Sequence, residues 1–426
     1  MKKIKLLYDA SLIYRLDENS AYRSGIFFVA YNILIELLKN ENLDIKLYCD
    51  LPNKYLLEKV IENHSEFKNC SIIQLTKLDN IVNKLSKLKY ENKAKNGCKL
   101  ARPFIKLALN ITNRLADNIT FLKEDNNDYD AYLSPRDKVP NFIKKDKKIK
   151  KYTVLHDIIP LKGNNNKLSK KSWFTELIDS LNENDTYFAN SEYTKQDFLD
   201  YFKFLFPKQI KVIPLSTGMP YSPEKDLCKI KDIKIKYNIP FEKKYVFSLC
   251  ALEPRKNLPF AVKSFIEFIK KNNINNCLYV LGGAHNGKLE SILKNEIPEY
   301  ENYKDKILSI GYVHDEDMSA LYSGAEMFIF PSLYEGFGIP VLEAMQCGCP
   351  VITSNTSSLP EVIGDSGIQI NPQSEKDLVN AMDKMYFDND FKTLCKLKGI
   401  QRAKQFSWKS CANIIYETIK NGVCNE

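Results

Sequence analysis

The chain has 426 residues, 44% of them hydrophobic and 27% charged, and its 62 basic and 53 acidic side chains leave a formal net charge of +9. That composition excludes a disordered or fibrous chain, and no stretch reaches the ~20 uncharged apolar residues that crossing a bilayer takes. The length predicts roughly two or three domains, and the positive charge admits phosphorylated small molecules, anionic lipid or nucleic acid as partners without choosing among them.

The first nine residues carry lysines but too short an apolar run for a signal peptide, and residues 5–9 read as a first strand. Gly25 precedes a helix over 27–38, with Val29, Ile33, Leu34, Leu37 and Leu38 on one face, and a strand follows at 43–48. Between Lys77 and Arg114 basic residues gather among apolar ones, with Ile81, Leu85 and Leu88, then Phe104, Leu107 and Ile111, at helical spacing. A basic amphipathic pair of this kind suits peripheral contact of region 77–114 with an anionic membrane. It suits equally an ordinary helix with a solvated lysine face, the commoner outcome for such charge runs. Apolar segments at 131–133, 151–156, 186–189 and 211–214 complete an alternation of strands and helices, the pattern of a parallel sheet with crossover helices.

From 216 to 244 the alternation stops. Ser216, Gly218, Pro220, Pro223 and Pro240 among charges make a linker composition. A second alternation then runs strand 245–252, helix 258–270, strands 278–281 and 307–311, helix 315–324, strand 327–331, helix 340–347 and strand 350–353. Short strands that are apolar at nearly every residue are those covered by helices on both faces. The expected fold is α/β, with two Rossmann-like domains facing across a cleft: an N-terminal domain over 1–215 and a C-terminal domain over 216–408, counting the linker. Eleven cysteines with no Cys-x-x-Cys spacing suggest reduced thiols and a cytoplasmic setting.

The stretch from Phe330 to Met345 joins a strand end, a glycine-rich loop and a helix start. Pro340 suits a first helical turn, whose unpaired amides and dipole favour an anion. Gly336 and Gly338 let the backbone bend and a ligand approach. Glu335 in the loop and Glu343 one turn into the helix can face one ligand, and a carboxylate accepts two hydrogen bonds from a vicinal diol. Taken alone, Glu343 reads equally as a complement to the helix dipole. Arg255 and Lys256, between a strand end and a helix, are placed to meet a diphosphate, whose departing charge needs fixed cations or a metal. His156 ends a strand at the sheet edge where active sites gather. Of the three Asp-x-Asp triplets, Asp315 looks like a helix cap, Asp388 lies in a polar turn and Asp128 with Asp130 sits at a strand entrance. No divalent metal or other cofactor is expected.

The order Phe330-Pro331-Ser332, Glu335 and Glu343 with seven residues between them, Ala344-Met345 and Pro350-Val351-Ile352 resembles glycosyltransferase family 4, whose fold is GT-B. Ser248 to Leu258, containing Glu253-Pro254-Arg255-Lys256-Asn257, resembles that family's donor-phosphate segment, Gly311-Tyr312-Val313 its base-binding turn, and Ser354 to Val362 the segment after its last core strand. Ser24-Gly25-Ile26 resembles its first glycine-rich loop, with one glycine where the family often has more, and Asn190 to Lys195 a strand end with a capped helix. The similarity is nearly unbroken from Tyr245 to Trp408 and patchy before that.

The resemblance implies a retaining hexosyltransferase in surface polysaccharide synthesis. Its donor, a nucleotide diphosphate sugar, would be held by Gly25, Arg255, Lys256, Asn257, Tyr312, Val313, Glu335, Gly336, Phe337, Gly338, Ile339 and Glu343. His156, Glu335, Arg255 and Lys256 would carry catalysis. It implies a glycan or lipid-linked glycan acceptor, no nucleic acid, and a C-terminal helix, 409–426, returning to the N-terminal domain. The motifs look most like bacterial mannosyltransferases, which makes GDP-mannose the first-choice donor. A nucleotide-sugar epimerase of the same build and an inactive binding subunit are the alternative readings.

Overall fold

The computed structural model describes residues 2–18, 25–73, 79–94, 129–162, 172–249, 251–283 and 287–424. In the first half the strands are β1 (Ile4–Asp9), β2 (Leu43–Tyr48), β3 (Ala131–Ser134), β4 (Lys150–Leu155), β5 (Thr186–Ala189) and β6 (Ile210–Val212). In the second they are β7 (Lys244–Leu249), β8 (Cys277–Gly282), β9 (Ile307–Gly311), β10 (Met327–Phe330), β11 (Val351–Ser354) and β12 (Ile368–Ile370). They form two six-stranded sheets, ordered β2-β1-β3-β4-β5-β6 and β12-β11-β10-β7-β8-β9, with every ladder parallel. β8, β10 and β11 are buried at every position, which is why they read as continuous apolar runs.

The helices that shape the site are α1 (Gly25–Leu38), α2 (Leu51–Asn63), α3 (Asp79–Ala94), α4 (Glu192–Tyr201), α5 (Leu227–Lys236), α6 (Leu258–Lys271), α7 (Met318–Gly324), α8 (Ile339–Gln346), α9 (Leu359–Ile363), α10 (Asn389–Ala403) and α11 (Trp408–Cys424). α6 buries Leu258, Ala261, Val262, Phe265, Ile266 and Ile269 at helical spacing, and each large side chain so buried contributes about 1.5–3 kcal/mol relative to exposure. α11 buries Cys411, Ala412, Ile415 and Ile419 and packs on α1 and β4 of the first domain. Where the chain crosses back, Trp408 Nε1 donates to the Thr217 carbonyl at 2.8 Å and Ser216 Oγ to that of Phe406 at 3.1 Å.

One expectation is corrected here. The segment 216–244 is not a bare linker, because α5 lies in it and packs on α7. Asp226 starts the helix by accepting from the Cys228 amide at 2.9 Å. Asp317 anchors its end, accepting from Lys236 at 2.7 Å and from the Tyr237 hydroxyl at 2.6 Å. The proline and glycine signals flank this helix, and the charges between them are its solvated face.

Of the basic region 77–114, α3 and its packing on α2 are described, while 77–78 and 95–114 lie outside the described residues. Lys84, Lys87 and Lys89 are exposed, as are Ile81 and Leu88. No helix among the described residues is long and apolar enough to cross a membrane.

Strand order reverses between β1 and β3 in one sheet and between β7 and β10 in the other. Such switch points open crevices beyond the strand C-termini.

Candidate active site

The second crevice holds the charged residues singled out from the sequence. Arg255 and Lys256 follow β7, and Glu335 follows β10, its neighbour in the sheet. Arg255 Nη1 lies 2.9 Å from one oxygen of the Glu335 carboxylate and Lys256 Nζ 2.6 Å from the other. Both cations, placed by the sequence to meet a diphosphate, are thus paired with a carboxylate. They converge on Glu335 in a triplet, and Arg255 Nε also lies 2.8 Å from the Glu253 carboxylate, so the linked group of two cations and two carboxylates has no net charge. A phosphate arriving at Arg255 and Lys256 would compete with that carboxylate, and sugar hydroxyls would use its remaining lone pairs.

The loop bearing Glu335 is fixed from three directions. The Leu333 amide donates to the Arg255 carbonyl at 2.7 Å. Asn257, left-handed at φ 57°, donates through Nδ2 to the carbonyls of Pro331 and Pro372 at 3.3 and 2.8 Å. Ser357 Oγ accepts from the Glu335 amide at 3.0 Å, and Ser358 Oγ lies 3.0 and 2.9 Å from the carbonyls of Glu335 and Phe337.

Gly338, at φ 109°, caps α8, and Ile339 opens it. From the other domain Gly25 opens α1, and a Cβ placed on Gly25 would lie 3.6 Å from Ile339 Cδ1. Two helix N-termini, one per domain, therefore meet across the cleft and add their positive dipole ends to the triplet. Arg23 and Ser24, from the same loop, lie outside the described residues.

The first domain meets the Glu335 loop at Gly336. A Cβ there would collide with the His156 carbonyl oxygen and lie 3.1 Å from Asp157 Cβ and 3.2 Å from Asn190 Nδ2. The Gly336 carbonyl accepts from Ser191 Oγ at 2.8 Å and Thr194 Oγ1 at 3.1 Å. The Ser191 hydroxyl both caps α4 and contacts the other domain.

His156 is buried, with Nε2 donating to the Pro135 carbonyl at 2.7 Å. Burial lowers its pKa to about 4, so the imidazole is neutral at pH 7 and Nδ1 is its acceptor. Asp157 accepts from the Ile159 amide at 2.9 Å and so turns the chain.

Tyr312 is exposed at the turn after β9, where Gly311 takes φ 71°. Val313 and Phe337 point into the core, Phe337 against Phe406 at 5.8 Å between ring centroids, so they offer a ligand their main chain. A pocket of about 330 Å³ opens near that turn, lined by Met219, Pro220, Tyr221, His314, Asp315, Glu316 and Ser319. Asp317 is taken by Lys236 and Tyr237, Asp388 caps α10 through the Phe391 amide, Asp130 accepts from the Lys5 amide, and Asp128 lies outside the described residues. Among the described residues no group of three His, Cys, Asp or Glu could hold a metal ion.

Glu343 accepts a hydrogen bond of 3.0 Å from the Tyr322 hydroxyl. Burial raises its carboxyl to about 7, the Tyr322 bond opposing the rise and Asp315 adding to it. An unfolded glutamate titrates near ~4.3, so between these values the folded chain binds the extra proton and stability falls as pH rises through 7. Glu343→Gln is expected to melt higher than the parent at about pH 8 and level with it at about pH 4, below both titrations. Melting curves at the two pH values test this, and an equal difference at both would exclude titration as the cause.

Three features escaped the sequence reading. Tyr322 sits 21 residues before the carboxylate it binds. Ser357, Ser358 and Glu361 lay in a segment marked as family-like, without a distinguishing pattern of their own. At the end of β1, buried Asp9 accepts from the Tyr132 hydroxyl at 2.9 Å and is raised to about 7 by burial and by Asp137. From sequence it was only a strand terminus.

Two parallel six-stranded sheets facing across a cleft, with the charged loops at the switch points, define the GT-B architecture. Residues 229–402 match the family described as Glycosyl transferases group 1, and the chain carries a domain of that family. It is 28% identical over 316 residues to the serotype-specific mannosyltransferase WbdA of Escherichia coli, covering 72% of this chain and 37% of WbdA. It is 30% identical over 237 residues to the O-antigen chain mannosyltransferase B of Escherichia coli, covering 55% of this chain and 60% of that protein. The chain thus spans little more than a third of WbdA's length. Among solved structures, Anabaena HepE in complex with UDP and glucose superposes with a TM-score of 0.62 at 16% identity, covering 98% of this chain and 100% of that one.

Proposed function

We propose that the chain is a retaining, metal-independent glycosyltransferase that moves a hexose, mannose from GDP-mannose as the first choice, to a hydroxyl of a glycan or lipid-linked glycan in surface polysaccharide synthesis. The observation that carries this reading is the Arg255–Glu335–Lys256 triplet beside the converging N-termini of α1 and α8. A diphosphate leaving group gains charge as the glycosidic bond breaks, and fixed cations and helix amides stabilise that charge without reorganising. Glu335 would hold sugar hydroxyls and Glu343 the ribose diol. The acceptor would approach from the first domain, beside His156 and Asp9. With no side chain among the described residues singled out as a nucleophile, substitution on the face the phosphate leaves is the favoured path, the departing oxygen taking the acceptor proton. The names of WbdA and the O-antigen chain mannosyltransferase support the choice of mannose.

The test is a thermal-shift panel of nucleotides and nucleotide sugars in EDTA, followed by mass spectrometry of transfer products. GDP at ~100 times its Kd is expected to add about 2.7 kcal/mol of stability, with no requirement for magnesium. A shift that appears only with divalent metal overturns the metal-free assignment. Donor conversion without acceptor would move the reading to an epimerase.

A further inference from the structure

The first turn of a helix has amides with no partner inside the helix. In α4 two of them are satisfied from the opposite domain. The carboxylate of Glu361, in α9, accepts from the Glu192 amide at 2.8 Å with one oxygen and from the Tyr193 amide at 2.7 Å with the other. The same turn supplies Ser191 and Thr194, whose hydroxyls hold the Gly336 carbonyl next to Glu335. Glu361 is braced on its own side by Arg402 of α10, which donates Nη2 to the Glu361 carbonyl at 2.6 Å and Nε to that of Val362 at 2.7 Å. The elements that meet here are 169 residues apart in the chain.

We infer that Glu361 is a positioning residue for transfer, a carboxylate of the donor-side domain that caps α4 of the other domain and locks the two in the register that holds the Glu335 loop. A negative charge is the group a helix N-terminus favours most. The cap and the Ser191–Thr194 clamp on Gly336 form and break together, because both join the same turn to the same domain. Separation of the domains would return the Glu192 and Tyr193 amides to water and release the Gly336 carbonyl at one stroke. The catalytic part of this inference rests on the transferase reading; the locking part does not.

Small-angle scattering and amide exchange read the lock without activity. Glu361→Ala is expected to give a larger radius of gyration than the parent and faster exchange across residues 333–338, which Glu361 itself does not touch by hydrogen bond. Glu361→Gln, keeping an acceptor oxygen without the charge, should fall between the two. In transfer assays the Ala variant should lose roughly tenfold in kcat, within the range for a lost helix cap, with the donor KM near the parent value and partial rescue by Gln. Parent-like scattering and exchange in the Ala variant overturn the lock. An inactive parent whose scattering still responds to Glu361→Ala would instead fault the transferase reading and leave the lock standing.

Discussion

Lys256→Ala is expected to lower kcat by roughly 10²–10³-fold, the loss typical when one fixed donor is taken from a developing anion, and to abolish the stabilisation that GDP gives the parent. Lys256 is the more enclosed of the two cations, its side chain 12% exposed against 23% for Arg255. Its ammonium also lies 4.8 Å from the centroid of Phe330 at the end of β10. Removing it leaves Glu335 paired with Arg255 alone and takes the net charge of Arg255, Lys256, Glu335 and Glu253 from zero to −1. A dianionic leaving group then meets a side-chain group of net negative charge, offset only by the ends of α1 and α8. Lys256→Arg is not expected to restore activity, because a planar fork does not replace a compact ammonium in that enclosed space. The measurement is kcat and KM for donor, beside a nucleotide thermal shift. Parent-like turnover in the Ala variant would remove Lys256 from the mechanism and with it the main support for the proposed chemistry.

The architecture was readable because parallel strands covered on both faces must be apolar throughout. β10 was expected at 327–331 and is found at Met327–Phe330, and the strand expected at 186–189 is β5. α5 was missed for an equally physical reason. Its polar face outweighs its apolar stripe, and prolines on both sides mimic a linker. At the site, residue types were readable and pairings were not. Arg255 and Lys256 suggested phosphate, but nothing local said that both would turn onto a carboxylate 79 residues downstream of Lys256. His156 was placed correctly at a strand end, yet only the fold reveals that its Nε2 is committed to Pro135. Contacts between domains are the hardest case. The Glu361 cap joins two short polar stretches, each of which is an ordinary helix start by itself.

Gly336→Ala isolates that interdomain contact, because the obstacle to a side chain at 336 comes from the other domain. Gly336 is not among the glycines with positive φ, so its own backbone tolerates alanine. The added methyl would run into the His156 carbonyl and crowd Asp157 and Asn190. Nucleotide binding, which the proposed function assigns mainly to the second domain, should therefore stay near the parent value, while transfer should fall by about 10²-fold, the loss expected from a displacement near 1 Å at a reacting centre. Ser191→Ala, which removes one hydrogen bond and adds no bulk, should cost much less, about tenfold or under. Titration calorimetry with GDP and steady-state transfer rates on the same preparations give both halves of the comparison. If Gly336→Ala binds and transfers like the parent, the contact between residue 336 and His156 is not part of the working geometry, and the part proposed for His156 in transfer loses its support.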